Sequence, residues 1–347
     1  MERLDIAIRT LFLEFQEAVL ARAALEQQLR NEATYVQKRV KGKPYWYSQT
    51  YRDGIACQHY VASVTEETTT RIESDRRVRR RRRQELLNLR RTEQRRAAML
   101  RRGGIPHVED SVATVIAALS AAQLIYEQGV LIGSHAFSAY AGLLGTTFRH
   151  QSLRTLDIDV APDPQQHRSA AAPIDMVHLL GKQGTPLRAV PNLNPKYPTV
   201  SFIGPHGLRI DLLTPQRGRP RPFFRMPRLN NAGLAPLPFL DFLLIDPLRT
   251  VLIGPRGGIP VSVPQPTRYS IHKLIVASRR GTHELPKREK DLLQAAQLLV
   301  ACQREQPTEL RTVYREAINR GPKWGKALRT SIQQLSPDVQ AILPNTL

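Results

Sequence analysis

Cysteine is almost missing: the 347 residues include two, Cys57 and Cys302. They are far apart and form no Cys-x-x-Cys spacing, which argues against a disulfide framework and a cysteine-based zinc site and leaves two ordinary thiols. Apolar stretches are short. Pro238 to Ile245 is interrupted by Asp241 and does not reach the length of a bilayer span. Met1-Glu2-Arg3 opens the chain without the apolar core of a signal peptide, so the expectation is a soluble, cytoplasmic protein with no membrane partner. No Gly-x-x-x-x-Gly-Lys-Ser/Thr loop occurs, which disfavours a P-loop ATPase. No Ser, His and Asp arrangement for nucleophilic catalysis is apparent either. Acids are outnumbered, 30 Asp plus Glu against 51 Lys plus Arg, for a formal charge of +21. Hydrophobic residues make up 41%, near the globular norm, so global disorder and a collagen-like or mucin-like stalk are disfavoured despite 26 prolines. The length allows two or three domains and a sizeable core.

What is present in excess is arginine, and it is concentrated. Arg71 to Arg102 holds 14 Arg and 4 acids, a net of +10 in 32 residues. With no Gly or Pro before Gly103-Gly104, and with the high helix propensity of Arg, the stretch reads as a long helix. Leu86, Leu87, Leu89, Met99 and Leu100 form its thin apolar seam. Arg79, Arg80, Arg81, Arg82 and Arg83 are candidate nucleic-acid contacts, because Arg pairs with phosphate in a bidentate way and counterion release strengthens such binding at low salt. A solvated helix, or one paired with an acidic partner, accounts for the same composition. A second cluster, Arg217, Arg219, Arg221, Arg225 and Arg228, is interleaved with Pro220, Pro222 and Pro227 and reads as a loop that could line a site.

Leu4, Ile8, Leu11, Phe15, Val19, Leu25 and Leu29 recur mostly at three- and four-residue steps, predicting an amphipathic helix over about 3–30. Tyr35 to Lys41, Tyr45 to Tyr51 and Ile55 to Ala62 then read as three short strands, with turns at Gly42-Lys43-Pro44 and Asp53-Gly54. Tyr45, Tyr47 and Tyr51 share one face. Interleaved with Lys38, Arg39, Lys41 and Lys43, they would suit stacking on bases, or simply packing against the first helix. His107 to Tyr126 reads as a helix with Asp110-Ser111 as its N-cap. Gly129 to Ile132 is a short apolar strand, followed by Gly133-Ser134 and a helix over Ala136 to Leu144. Strand, small-residue turn and helix is an arrangement whose backbone amides can hold phosphate.

The strongest signal is Arg154-Thr155-Leu156-Asp157-Ile158-Asp159-Val160. Side chains at i and i+2 of a strand point the same way, so Asp157 and Asp159 project together while Leu156, Ile158 and Val160 face a core. Paired carboxylates repel unless a divalent cation sits between them, and Mg²⁺ favours a carboxylate pair plus phosphate oxygens. A third acid, Asp211, lies in Leu208 to Leu213, the return arm of a hairpin whose first arm is Thr199 to Ile203 and whose turn holds Gly204-Pro205-His206-Gly207. On a neighbouring strand it could reach the same cluster, and three carboxylates with two Mg²⁺ ions support in-line displacement at phosphorus. Charges that protect a sheet edge, or ion pairs with Arg209 or Arg154, are the plain alternative. His135 and His206 have no partner at a metal-ligand spacing, and Asp163 and Asp175 flank a Pro- and Ala-containing loop.

These residues resemble the DNA polymerase beta-like nucleotidyltransferase superfamily over about residues 110–300. The resemblance implies that Gly133 and Ser134 hold the nucleotide triphosphate, that Asp157 and Asp159 bind Mg²⁺, and that Asp211 helps activate the acceptor hydroxyl. Ser134 and Asp157 are separated by 22 residues, more than in compact antitoxin-like members. The spacing is similar to the branch with an Arg-x-Thr-x-Asp-x-Asp run, which includes abortive-infection nucleotidyltransferase toxins and related uncharacterised bacterial nucleotidyltransferases. Arg154 stands one residue out of that register, with Arg149 as a second candidate. Tyr269 to Arg280, followed by Lys287-x-x-Lys290-Asp291-x-x-Gln294-Ala295, resembles the branch's helical Lys, its later Arg, and the Lys-Asp pair opening another helix. Lys273 and Arg280 are seven apart, on nearly the same helical face, and with Lys290 could reach triphosphate oxygens, while Asp291 orients the cations or holds the helix start. A surface helix pair with incidental charges is the alternative.

The expected fold is α+β: a polymerase beta-like mixed sheet with flanking helices, a C-terminal helical region, and an N-terminal helix with a small antiparallel β unit. The expected divisions are 1–70 for the N-terminal unit, 71–104 for the Arg-rich helix, 105–255 for the catalytic domain and 256–347 for the helical domain. The expected function is Mg²⁺-dependent transfer of a nucleoside monophosphate from an NTP to a hydroxyl of RNA, a tRNA end being favoured, or of protein or a small molecule. By the same resemblance, an antitoxin or other regulator would be a partner. The competing expectation is a nucleic-acid-binding or regulatory protein that uses the fold as a scaffold for its Arg-rich helix.

Overall fold

The Asp5 carboxylate accepts the Ala7 amide at 2.8 Å and starts helix α1 (Ile6–Asn31), whose buried face is Phe12, Phe15, Val19, Ala23 and Leu29. The computed structural model describes residues 2–52, 55–148, 155–163 and 173–343. After α1 come the antiparallel strands β1 (Thr34–Val40), β2 (Lys43–Arg52) and β3 (Ile55–Ser63). The expected Asp53-Gly54 turn and the placement of the Tyr51 side chain lie outside the described residues. Helix α2 (Glu66–Arg102) then runs 37 residues, opened by a capping box between Thr65 and Thr68.

The seam of α2 corrects the sequence reading. Leu87 and Met99 are 48% and 56% exposed, and the buried residues are Ile72, Glu93, Ala97 and Leu100. The reason is the antiparallel partner, α1, which selects a stripe at seven-residue steps: Ile72, Arg79, Leu86, Glu93 and Leu100. Polar members of that stripe are satisfied across the seam. Arg79 donates to the carbonyls of Glu32 at 2.7 Å, Ala33 at 3.0 Å and Leu29 at 3.2 Å, and so closes the C-terminal end of α1. Glu93 accepts from Arg22 at 2.8 Å. Arg96 meets Glu14 at 2.8 Å, Arg90 meets Glu26 at 2.9 Å, and Arg82 pairs with Glu32.

The principal elements of the remainder, besides short strands and helices, are α3 (Asp110–Ala121), β4 (Gly129–Ile132), α4 (Gly133–Leu143), β5 (Asp157–Pro162), β6 (Ser201–Ile203), β7 (Arg209–Pro215), β8 (Gly233–Leu237), the hairpin β9 (Leu248–Gly254) and β10 (Gly257–Val263), and the helices α5 (Pro266–Arg279), α6 (Leu285–Glu305), α7 (Pro307–Asn319) and α8 (Pro322–Ile332). Helix α3 is shorter than expected. Glu109 is its N-cap, without a side-chain bond, and it stops before Gln123, which takes a left-handed φ of 63°. Helix α4 instead starts early, directly from the end of β4 at Gly133.

A seven-stranded mixed sheet organises this region. Strand β5 runs antiparallel to β4 and parallel to β7, and β7 also pairs antiparallel with β6 and parallel with β8. One buried cluster spans Val108 to Leu343, joining the sheet to the C-terminal helices. A second joins Phe12, Phe15 and Val19 of α1 and Leu100 of α2 to Val251 and Ile253 of β9. Each large side chain removed from water in this way contributes about 1.5–3 kcal/mol. The protein is thus α+β, and the division expected at 255/256 falls in the turn of the β9–β10 hairpin. No helix among the described residues is long and apolar enough to cross a membrane.

Candidate active site

The register of the sheet gathers the acids. Asp157 pairs with Arg209 and Asp159 with Asp211 across the parallel β5–β7 edge, Ser201 stands opposite Asp211, and Ile132 stands opposite Asp159. Ile158, Val160, Ile210 and Leu212 point to the core, so the alternate residues Asp157, Asp159, Arg209 and Asp211 share the other side. One step beyond Ile132 is Gly133, with φ +70°. A Cβ on it would overlap the Asp159 carboxylate, so only glycine lets the α4 N-terminus approach that acid so closely. The Tyr269 hydroxyl of α5 donates to the Gly133 carbonyl at 2.9 Å and fixes the turn. Burial pushes that phenol up to about 12, so it remains a donor at neutral pH.

Helices α5 and α6 bring the cations. Lys273 Nζ donates to Asp291 Oδ1 at 2.6 Å and Arg280 Nε to Asp291 Oδ2 at 2.6 Å, the latter side chain also reaching Glu284 at 2.9 Å. Asp291 is 3% exposed and orients both cations. Arg280 follows the last residue of α5, so it reaches Asp291 from the helix end rather than from a continuous helical face. Burial opposes the charge on Lys273, but Tyr269, Asp291 and Asp159 outweigh it and hold its pKa above the ordinary value. Lys290 behaves differently: burial and the adjacent Lys273 hold it below. Together Gly133, Ser134, Asp157, Asp159, Asp211, Lys273, Arg280, Lys290 and Asp291 line one cleft of about 410 Å³.

Four further residues complete the surroundings. Thr155, Arg209 and Lys287 line the cleft as well, and Ser201 hydrogen-bonds to Asp211. Arg209 Nε lies 3.0 Å from both Asp211 oxygens. That ion pair is the alternative weighed from sequence, and it coexists with the carboxylate cluster. Period two marks Arg209, two residues before Asp211, and helical period marks Lys287, three before Lys290, and Tyr269, four before Lys273. Ser201 becomes visible only once the hairpin register is known. Arg154 and Arg149, the sequence candidates for a phosphate contact, lie outside the described residues.

The acids carry an electrostatic load. Asp159 is pushed up to about 6, first by burial and then by Asp211, with Lys273 opposing and Asp157 adding to the repulsion. Among the described residues no three His, Cys, Asp or Glu side chains are drawn together as a ready metal cage. The hard oxygen donors of Asp157, Asp159 and Asp211, with repulsion that a cation would relieve, nevertheless fit Mg²⁺. His135, next to Ser134, is buried and lowered to about 4 by burial and Lys290, so it is neutral at physiological pH.

The Arg-rich helix is not part of this cleft. Of its five candidate contacts, Arg79 and Arg82 engage the end of α1, and Arg80, Arg81 and Arg83 are exposed. Residues 110–319, about three-fifths of the chain, match the family described as nucleotidyltransferase. No match occurs among curated proteins or solved structures.

Proposed function

The chain belongs to the nucleotidyltransferase family, and on that premise we propose that it transfers a nucleoside monophosphate from an NTP to a hydroxyl acceptor with Mg²⁺. The observation that carries this reading is the pairing of Asp159 and Asp211 on adjacent strands, with Gly133 at the start of α4 against Asp159, facing the Lys273–Asp291–Arg280 cluster. In it, Gly133 and Ser134 hold the β and γ phosphates at the start of α4, where amides and the positive helix end favour anions. Lys273, Arg280 and Lys290 neutralise the triphosphate, and Asp291 keeps the first two aimed. Asp157, Asp159 and Asp211 would hold the metal, two ions in the fullest form. Bound Mg²⁺ supplies charge neutralisation for attacking and leaving oxygens. The acceptor oxygen bonds to the α phosphorus, its proton passes to Asp211, and the bond to the β-phosphate oxygen breaks to release pyrophosphate. RNA, with a tRNA end favoured, is the acceptor class that agrees with the basic charge. Its kinship to the toxin branch, with an antitoxin or regulator as partner, rests on the sequence resemblance.

The test is incubation with each α-labelled NTP, Mg²⁺ and total cellular RNA or protein, comparing wild type with folded Asp157→Ala/Asp159→Ala. Label entering an acceptor only with the aspartates present supports the proposal. No aspartate-dependent label in any acceptor contradicts it and favours a binding or regulatory role for the fold.

A further inference from the structure

Five of the ten tyrosines, Tyr35, Tyr45, Tyr47, Tyr51 and Tyr60, fall within residues 33–65, which also carry five Lys or Arg and one acid. The two faces of the β1–β3 sheet are unequal. On one, Trp46 is 5% exposed with the Arg76 guanidinium 5.1 Å from its ring centroid, and the Tyr35 hydroxyl donates to Asp75 at 3.2 Å. That face sits on α2. On the other, register pairs Tyr45 with Lys38 and Tyr47 with Tyr60. The Tyr60 ring centroid lies 5.8 Å from that of Tyr45 and 6.0 Å from that of Tyr47, and Lys38 Nζ lies 5.6 Å from the Tyr47 ring. Tyr60 is 59% exposed. Lys41 and Lys43 are exposed at the adjoining turn; Arg39, also exposed, alternates to the opposite face of β1.

Tyrosines needed only for packing would face α2, as Trp46 does. A clustered set of rings, Tyr60 exposed and Tyr45 and Tyr47 half-buried beside it, bordered by cations, is instead complementary to unpaired bases and their phosphates: each ring offers a stacking surface of any sequence, and the cations track the backbone. We propose that this face is a stacking platform for single-stranded RNA, the acceptor strand of the transfer. The acceptor part rests on the function proposed above; the binding part does not. The platform is distinct from the Arg79–Arg83 run, two of whose members close the end of α1. A duplex hides its base faces, so the platform discriminates against it.

The experiment is fluorescence anisotropy of the full chain with a short labelled single-stranded RNA and with its duplex, without NTP or metal, at several salt concentrations. Single strands are expected to bind more tightly than the duplex. Tyr45→Ala/Tyr60→Ala is expected to weaken single-strand binding about 5- to 150-fold, Tyr45→Phe/Tyr60→Phe to restore it, and Lys38→Gln to reduce the salt dependence. Circular dichroism verifies folding, and the exposed single variant Tyr60→Ala repeats the test with least disturbance. Asp157→Ala/Asp159→Ala should bind as wild type and lose transfer; transfer that persists in that variant, or is absent in wild type, while single-strand binding is intact overturns the catalytic reading alone. Equal affinity of the tyrosine variants and wild type, equal affinity for strand and duplex, or no single-strand binding at low salt would each overturn the platform. So would sedimentation showing that the tyrosines mediate self-association or pairing with a protein instead.

Discussion

In the cleft, Asp291 is 3% exposed and takes Lys273 and Arg280, each at 2.6 Å; along α1 and α2, Arg90 is 54% exposed and meets Glu26 at 2.9 Å. Both are ion pairs of good geometry, yet they differ in solvation. Breaking a buried pair leaves a charge that water does not reach, whereas an exposed one is replaced by hydration and screened by salt. The cleft therefore holds its charges in fixed positions, as the proposed binding of a triphosphate would require. The N-terminal helices use some arginines as staples to α1 and leave Arg80, Arg81 and Arg83 in solvent.

This contrast can be tested in descending order of effect. Asp157→Ala/Asp159→Ala should lower label transfer by at least about 10²- to 10³-fold, the loss typical of removing a fixed electrostatic stabiliser of a transition state, while circular dichroism stays that of wild type. Asp291→Ala should destabilise by about 3 kcal/mol in urea unfolding, because Lys273 and Arg280 lose their shared partner. A value near that of an exposed pair would remove the distinction between the two regions.

Asp159 makes a pH-dependent case. Its folded pKa, raised from 3.8 to about 6, means that the fold disfavours the ionised carboxylate. The stability associated with the protonated form is complete below 3.8 and is lost as pH rises through about 6. Without metal, Asp159→Asn should therefore gain on the order of 2 kcal/mol over wild type at pH 8 and nothing at pH 3, while losing transfer activity. Urea unfolding at the two pH values reads the difference, and a gain that is equal at both would contradict it. Arg90→Ala, the smallest, should change stability by at most about 1 kcal/mol, and less at high salt.

The same contrast separates what is legible in the sequence from what is not. Asp157, Asp159 and Asp211 were visible because strand period two places them among apolar residues that identify their faces. Lys273, Lys290 and Asp291 were visible only with the family resemblance beside them, since helical charges alone also describe a solvated surface. The Gly133 overlap with Asp159 and the Ser201 bond to Asp211 depend on β4–β5 and β6–β7 registers, which local pattern does not specify. The α2 seam misled for a related reason. Leu87 and Met99 look like core by type, but the antiparallel position of α1 selects the stripe through Ile72, Arg79 and Glu93, whose polar members are satisfied only by that partner.

The most direct measurement is transfer of label from matched α- and γ-labelled NTPs to the acceptor, with pyrophosphate release followed in the same reaction. The α label should reach the acceptor with stoichiometric pyrophosphate, and only when Asp157 and Asp159 are present. Transfer of the γ label instead, or α-label transfer indifferent to those aspartates, would contradict the assignment of the cleft.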